Sequence, residues 1–171
     1  MRSKEETYVH ARQLIPPLTL RTLQGLTVHA WDFKQKRNLV IAFLDAGCSN
    51  CNAFVELLMR YSAALREMEA VALLVFPETS MPLLNAPSSP LVITGFDRDG
   101  RGSRAFLGEG CESPGGRVHR GVFVTDRYGE LSVQWIIGEH KFPGIDEILS
   151  ALNLVEIACE ECSVPHWPVD D

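Results

Sequence analysis

Asn38-Leu39-Val40-Ile41-Ala42-Phe43-Leu44-Asp45-Ala46-Gly47-Cys48-Ser49-Asn50-Cys51 is the stretch on which the reading of the chain turns. The unbroken apolar run Leu39 to Leu44 predicts a buried strand. It gives way to Asp45-Ala46-Gly47 and then to a C-x-x-C pair. Beyond the pair, Phe54, Leu58, Tyr61, Leu65 and Met68 recur at three- and four-residue steps with Glu56, Arg60, Arg66 and Glu67 between them, which predicts an amphipathic helix. The two cysteines therefore sit where a buried strand hands over to a helix, a placement that suits reversible thiol chemistry.

The rest of the chain frames that junction. A length of 171 residues buries a sizeable core and leaves little room for two. The expectation is one domain over 1–171, with a core at about 17–153 and a cysteine-containing tail at 155–171. The net charge of −6 disfavours nonspecific binding to nucleic acid or an anionic membrane, both of which draw on basic patches, and no Lys/Arg cluster offsets it. Met1 to Glu6 is polar with no apolar segment behind it, and no apolar run approaches membrane-spanning length, so a cytoplasmic protein is expected. Thiols are kept reduced in that compartment. Five cysteines, an odd number, then point to catalysis or metal rather than to structural disulfides.

Along the chain, Lys4 to Ile15 has Tyr8, Ala11 and Ile15 on one side, Ser3 and Glu6 spaced as a capping box and Pro16-Pro17 as a stop, which predicts a short helix. Leu18 to Trp31 reads as a hairpin around Gln24-Gly25, and Lys34 to Arg37 as a solvated turn. Ala70 to Phe76 is a second continuous apolar run, the pattern of a strand in a parallel sheet. Pro77, Pro82, Pro87 and Pro90 break the chain until Leu91-Val92-Ile93 offers a short strand. Asp97-Arg98-Asp99-Gly100 has the opening of a calcium loop without its later ligands or closing glutamate, and is read as a turn. Ser103 to Leu107 predicts a helical turn, and Gly108 to Gly116 a loop carrying Cys111. Val122 to Ile137 predicts a hairpin about Asp126-Arg127-Tyr128-Gly129, with Leu131, Val133 and Trp135 on one face. Phe142 to Leu154 predicts a closing helix with Asp146 and Glu147 in its first turn. This order of elements predicts an α/β protein, a mixed central sheet with helices on its faces and a hairpin at its N-terminal side.

With the dithiol at the end of the first core strand and Arg120-Gly121-Val122-Phe123-Val124-Thr125-Asp126-Arg127-Tyr128-Gly129 late in the chain, the protein resembles the thioredoxin-fold redoxins. Within them it is similar to the alkyl hydroperoxide reductase/thiol-specific antioxidant (peroxiredoxin-like) group, whose corresponding segment runs Arg, small, apolar, Phe, two apolar, Asp, two variable, Gly. The resemblance covers about residues 17–153 and implies a three-layer thioredoxin-like fold. It also implies that Arg120 matches the arginine that activates the peroxidatic thiol and orients peroxide. The chain departs from both patterns. Thioredoxins place Trp before the first cysteine and Gly-Pro within the pair, where Gly47 and Ser49-Asn50 stand here, and a cis-proline where Arg120-Gly121 stands. Peroxiredoxins carry a Pro and a Thr ahead of the reactive cysteine, positions held by Ile41 and Asp45 if Cys48 is that cysteine and by Leu44 and Cys48 if it is Cys51.

The chemistry expected at the junction is thiol–disulfide exchange. A thiolate is the attacking species, and a cysteine at the first turn of a helix gains from the exposed N–H groups and the positive end of the dipole. Cys48 is the expected attacker, with Cys51 one turn further in to resolve the mixed disulfide. The carboxylate of Asp45, if it lies close, would oppose negative charge on Cys48. The plain alternative is that both cysteines are small core residues. His119 beside Arg120 is read as a surface residue. Three functions follow: a thiol-disulfide oxidoreductase, a peroxiredoxin-like thiol peroxidase, and a non-catalytic redoxin-fold module holding zinc or a protein partner. The tail pair Cys159 and Cys162 could relay electrons, stay inert, or join Cys48 and Cys51 as zinc ligands. More than a hundred residues separate the pairs, against roughly 15 to 20 in a zinc ribbon. The order of Cys162, Pro165 and Trp167 loosely resembles the resolving segment that some peroxiredoxins take from a partner chain, which would make the working unit a homodimer. The implied partners are a protein disulfide or peroxide and a thiol reductant, with no cofactor.

Overall fold

The computed structural model of the protein describes residues 13–79, 89–108, 120–137 and 141–158. These build a seven-stranded sheet from β1 (Thr19–Thr22), β2 (Thr27–His29), β3 (Asn38–Phe43), β4 (Ala70–Pro77), β5 (Val92–Asp97), β6 (Arg120–Thr125) and β7 (Leu131–Ile137). The spatial order is β2-β1-β5-β4-β3-β6-β7. Strands β3, β4 and β5 are parallel, while β6 lies antiparallel to β3, β7 to β6, β1 to β5 and β2 to β1. The two apolar runs of the sequence are thus adjacent central strands. Every residue of β3 is buried, as a strand covered on both faces requires.

Helices α1 (Ser49–Arg60), α2 (Ser62–Glu67) and α4 (Ile145–Ala158) supply the side chains that pack on one face, with Cys51, Phe54, Leu58, Leu65, Ile148 and Leu152 against Val40, Ala42 and Val122. The other face carries Leu39, Ile41, Phe43 and Phe123 against Leu18, Leu20 and the end of α3 (Arg101–Leu107). This is the expected three-layer, thioredoxin-like arrangement with a leading hairpin. The turn of that hairpin needs Gly25, whose φ of +81° few other residues tolerate.

Several elements differ from expectation. The helix predicted after the dithiol is two helices, broken at Tyr61 (φ −101°, ψ 24°), where Tyr61-Ser62 are weaker helix formers than their neighbours. Leu131 packs on the α3 face while Val133 and Trp135 pack on the α1 face, because a bulge between Val124 and Thr125 leaves Ser132 without a cross-strand partner and resets the alternation. Helix α4 begins three residues later and ends four residues later than the pattern suggested. Leu14 and Ile15 do not close a helix: Leu14 bridges Glu130, and the Ile15 N–H donates to the Gly129 carbonyl at 2.9 Å. The remainder of that predicted helix lies outside the described residues.

Two polar clusters tie the layers together. At the start of β3, buried Asn38 donates to the Met68 carbonyl at 3.0 Å and to Glu156, which also receives Arg127 Nη2 at 2.7 Å. Arg127 pairs in turn with Glu69 at 3.2 Å, so the end of α4 is held at the pole of β3 opposite the dithiol. Asp97, which opens the segment read as a turn, is only 3% exposed, and its carboxylate accepts from the Gly102 N–H (2.9 Å), the Ser103 N–H (2.8 Å) and the Ser103 hydroxyl (2.9 Å). It caps the first turn of α3. Asp97→Ala leaves those donors unpaired and is expected to cost about 1–3 kcal/mol, read from the urea midpoint; an unchanged midpoint contradicts the cap.

Candidate redox site

The site grows out of the end of β3. Leu44 extends the strand by one step, its N–H donating to the Val75 carbonyl at 2.9 Å. Asp45-Ala46-Gly47 then turns the chain, with the Cys48 N–H on the Asp45 carbonyl at 3.3 Å and the Gly47 N–H on Asp45 Oδ1 at 3.3 Å. Cys48 is the residue that caps α1. Its backbone is extended (φ −106°, ψ 117°), and its sulfur takes the place of the usual hydroxyl or carboxylate oxygen by accepting the Cys51 N–H at 3.2 Å. Asn52 closes the first helical bond onto the Cys48 carbonyl at 3.1 Å.

The pair is asymmetric. Cys48 is half-buried beside exposed Ser49 and Asn50, whereas Cys51 is 0% exposed and packs with Phe54 and Leu58 in the core. Both are free thiols. Burial, with a smaller contribution from a hydrogen bond to Cys48, pushes the Cys51 thiol from 9.0 up to about 12. The Asp45 N–H, 3.5 Å from Cys51 Sγ, and the charge of Arg120 pull the other way.

Arg120 is brought in by the sheet. The antiparallel register of β6 on β3 sets Gly121 opposite Phe43, and alternation along β6 sends the neighbouring Arg120 side chain to the α1 face. There Arg120 Nη1 donates to Cys48 Sγ at 2.7 Å. Its Nε is buried and has no hydrogen-bond partner among the described residues. Two donors, one cationic and one at a helix N-terminus, thus converge on one sulfur, an arrangement that suits a sulfur carrying negative charge. The Asp45 carboxylate oxygen Oδ1 accepts the Gly47 N–H.

Of the residues singled out by sequence, Cys48, Cys51 and Arg120 meet at one place. Cys111, His119, Cys159 and Cys162 lie outside the described residues, so the four-sulfur zinc arrangement concerns only two described sulfurs. Among the described residues no group of three or more His, Cys, Asp or Glu converges on a metal position, no peptide is cis, and no helix is long and apolar enough to cross a membrane. The capping role of the Cys48 sulfur is not legible in sequence, because cysteine is not among the residues that ordinarily cap helices.

No protein-family model matches the chain, and no curated protein matches it. Solved structures do. The mitochondrial 2-Cys peroxiredoxin of Plasmodium falciparum superimposes with a TM-score of 0.70 at 11% identity, covering 91% of this chain and 100% of its own. AhpC of Mycobacterium tuberculosis gives 0.67 at 16% identity over 91% and 97%. A protein of Chlorobium tepidum described as a thiol:disulfide interchange protein DsbE gives 0.62 at 18% identity over 88% and 97%. At these identities the likeness is one of architecture, and it is consistent: the chain has the thioredoxin-like fold of the redoxins, in a peroxiredoxin-like form.

The raised Cys51 thiol has a measurable consequence. The unfolded chain loses this proton near 9.0 and the folded chain only near 12, so stability is intact below 9.0 and falls as pH rises from there toward 12. Denaturant titrations are expected to show that loss in the native protein and a flatter profile in Cys51→Ala. Equal slopes in the two would contradict the burial of an unionised thiol.

Proposed function

We propose that the chain acts as one redoxin domain and is a thiol-dependent oxidoreductase whose Cys48–Cys51 dithiol reduces a disulfide in a protein substrate, with a thiol reductant restoring it. The observation that carries the reading is the convergence of the Arg120 guanidinium (2.7 Å) and the Cys51 N–H (3.2 Å) on a half-buried Cys48 sulfur with a second thiol one turn behind it. The Cys48 thiolate attacks one substrate sulfur, breaking the S–S bond and expelling the other sulfur as a thiolate, which takes a proton from solvent. Cys51 then attacks Cys48 Sγ, forming the intramolecular disulfide and breaking the mixed one, and its proton passes to the departing substrate sulfur, which leaves as a thiol. Two electrons pass from the dithiol to the substrate. The second step follows the first because the mixed disulfide on Cys48 is its electrophile, and burial, which pushes the Cys51 thiol up, disfavours an earlier attack by Cys51.

A second reading is favoured by Arg120 alone. In the peroxidases that the chain resembles, an arginine at this position orients peroxide, and a sulfur held by two donors could attack the distal oxygen of a hydroperoxide. The alcohol or water then leaves, and Cys51 condenses with the sulfenic acid to give the same disulfide and water. Ile41 and Asp45 occupy the positions of the peroxidases' Pro and Thr, which weighs toward the disulfide as the preferred oxidant.

Rapid mixing of the pre-reduced protein with a model disulfide and with hydrogen peroxide separates the two. Faster thiol loss with the disulfide is expected, and faster loss with peroxide would make the peroxidase reading the correct one. Cys48→Ser is expected to abolish either reaction, while Cys51→Ser accumulates a mixed disulfide on Cys48 detectable by mass. Full turnover in Cys48→Ser would defeat both readings. Arg120→Met removes a charge-assisted hydrogen bond and is expected to slow the first step by about ten- to a hundredfold in stopped-flow traces.

A further inference from the structure

Arg120 and Gly121 are neighbours on β6 that face opposite sides of the sheet. Arg120 projects to α1 and Cys48. On the other side Phe43, Phe106 and Phe123 pack ring against ring, with centroids 5.1, 5.1 and 5.8 Å apart, and Leu107 at the end of α3 is buried beside them. A Cβ on Gly121 would lie 2.8 Å from Leu107 Cδ2 and 3.0 Å from Phe123 Cε2, inside ordinary contact. The φ of Gly121 is not positive, so the glycine answers a need for room rather than for an unusual backbone.

We propose that Gly121 is a positioning residue for Arg120: the absent side chain lets α3 and the aromatic cluster seat β6 where the guanidinium meets Cys48 Sγ. The proposal rests on the reading of Cys48 and Arg120 as the reacting pair. A methyl group at 121 is accommodated either by lifting α3 or by pushing β6 toward the α1 face. The clashing atoms are the far end of Leu107 on α3 and the ring of Phe123 on β6 itself; both side chains are buried in a close-packed interior, so neither swings clear freely and the displacement is shared with the backbone of β6. The residue carried with it is Arg120, whose 2.7 Å contact has no slack on the near side.

The test is the selectivity of Cys48 alkylation in the full chain, followed on the Cys48 peptide by mass spectrometry. A cation at the sulfur favours anionic iodoacetate over neutral iodoacetamide, and a loss of general stability does not move that ratio. Arg120→Met is expected to lower it by about threefold or more, Gly121→Ala to lower it similarly, and Gly121→Ala with Leu107→Ala to restore it. A folded Gly121→Ala protein with the native ratio overturns the proposal while leaving the redox reading in place. An unchanged ratio in Arg120→Met overturns the pairing of Arg120 with Cys48 and the role of Gly121 with it. If Gly121→Ala alone does not fold, the double variant is compared with Leu107→Ala: equal ratios support the steric account, and a lowered ratio in the double variant defeats it.

Discussion

Arg120 reaches Cys48 because β6 lies antiparallel beside β3, in a register that sets Gly121 against Phe43 and leaves the arginine one step further out, at the edge where β3 turns into the dithiol. The contact crosses 72 residues of sequence. Its precision comes from hydrogen bonds between buried strands and from the packing of α3 beneath, not from anything local to either residue. Each side of the sheet contributes differently: the α1 face carries the two sulfurs and the guanidinium, and the other face packs Phe43, Phe106 and Phe123 beneath β6.

The dithiol divides labour by burial. A sulfur at the helix cap and a sulfur three residues on are on one side of α1, yet one is half-exposed and the other fully enclosed. Low-dielectric surroundings keep the inner thiol protonated, while the outer sulfur receives two N–H donors. The structure thus sets an accessible, doubly hydrogen-bonded sulfur beside an enclosed one.

Much of the fold was legible because its causes are local and repeated. The two apolar runs became β3 and β4, the three- and four-residue spacing became α1 and α2, and the Asp126–Gly129 turn became the β6–β7 hairpin. The failures have particular causes. Strict alternation assigned Leu131 the same face as Val133, and a one-residue bulge moved it, something that depends on pairing with β6. Asp97 read as a turn residue with a hint of calcium because sequence shows a carboxylate's neighbours along the chain and not the amides of Gly102 and Ser103 that it caps.

The sequence by itself determined the elements and the position of the two cysteines at a strand-to-helix junction, because hydrophobic period and C-x-x-C spacing are properties of neighbouring residues. Arg120 was singled out only through resemblance, with no reason internal to the chain for it to face a sulfur. Tertiary structure decided that it does, that Cys48 caps the helix with its own sulfur, that Cys51 is sealed in the core, and that a Cβ at position 121 would crowd Leu107 and Phe123. These depend on distance and burial between segments far apart in sequence, which no local pattern encodes.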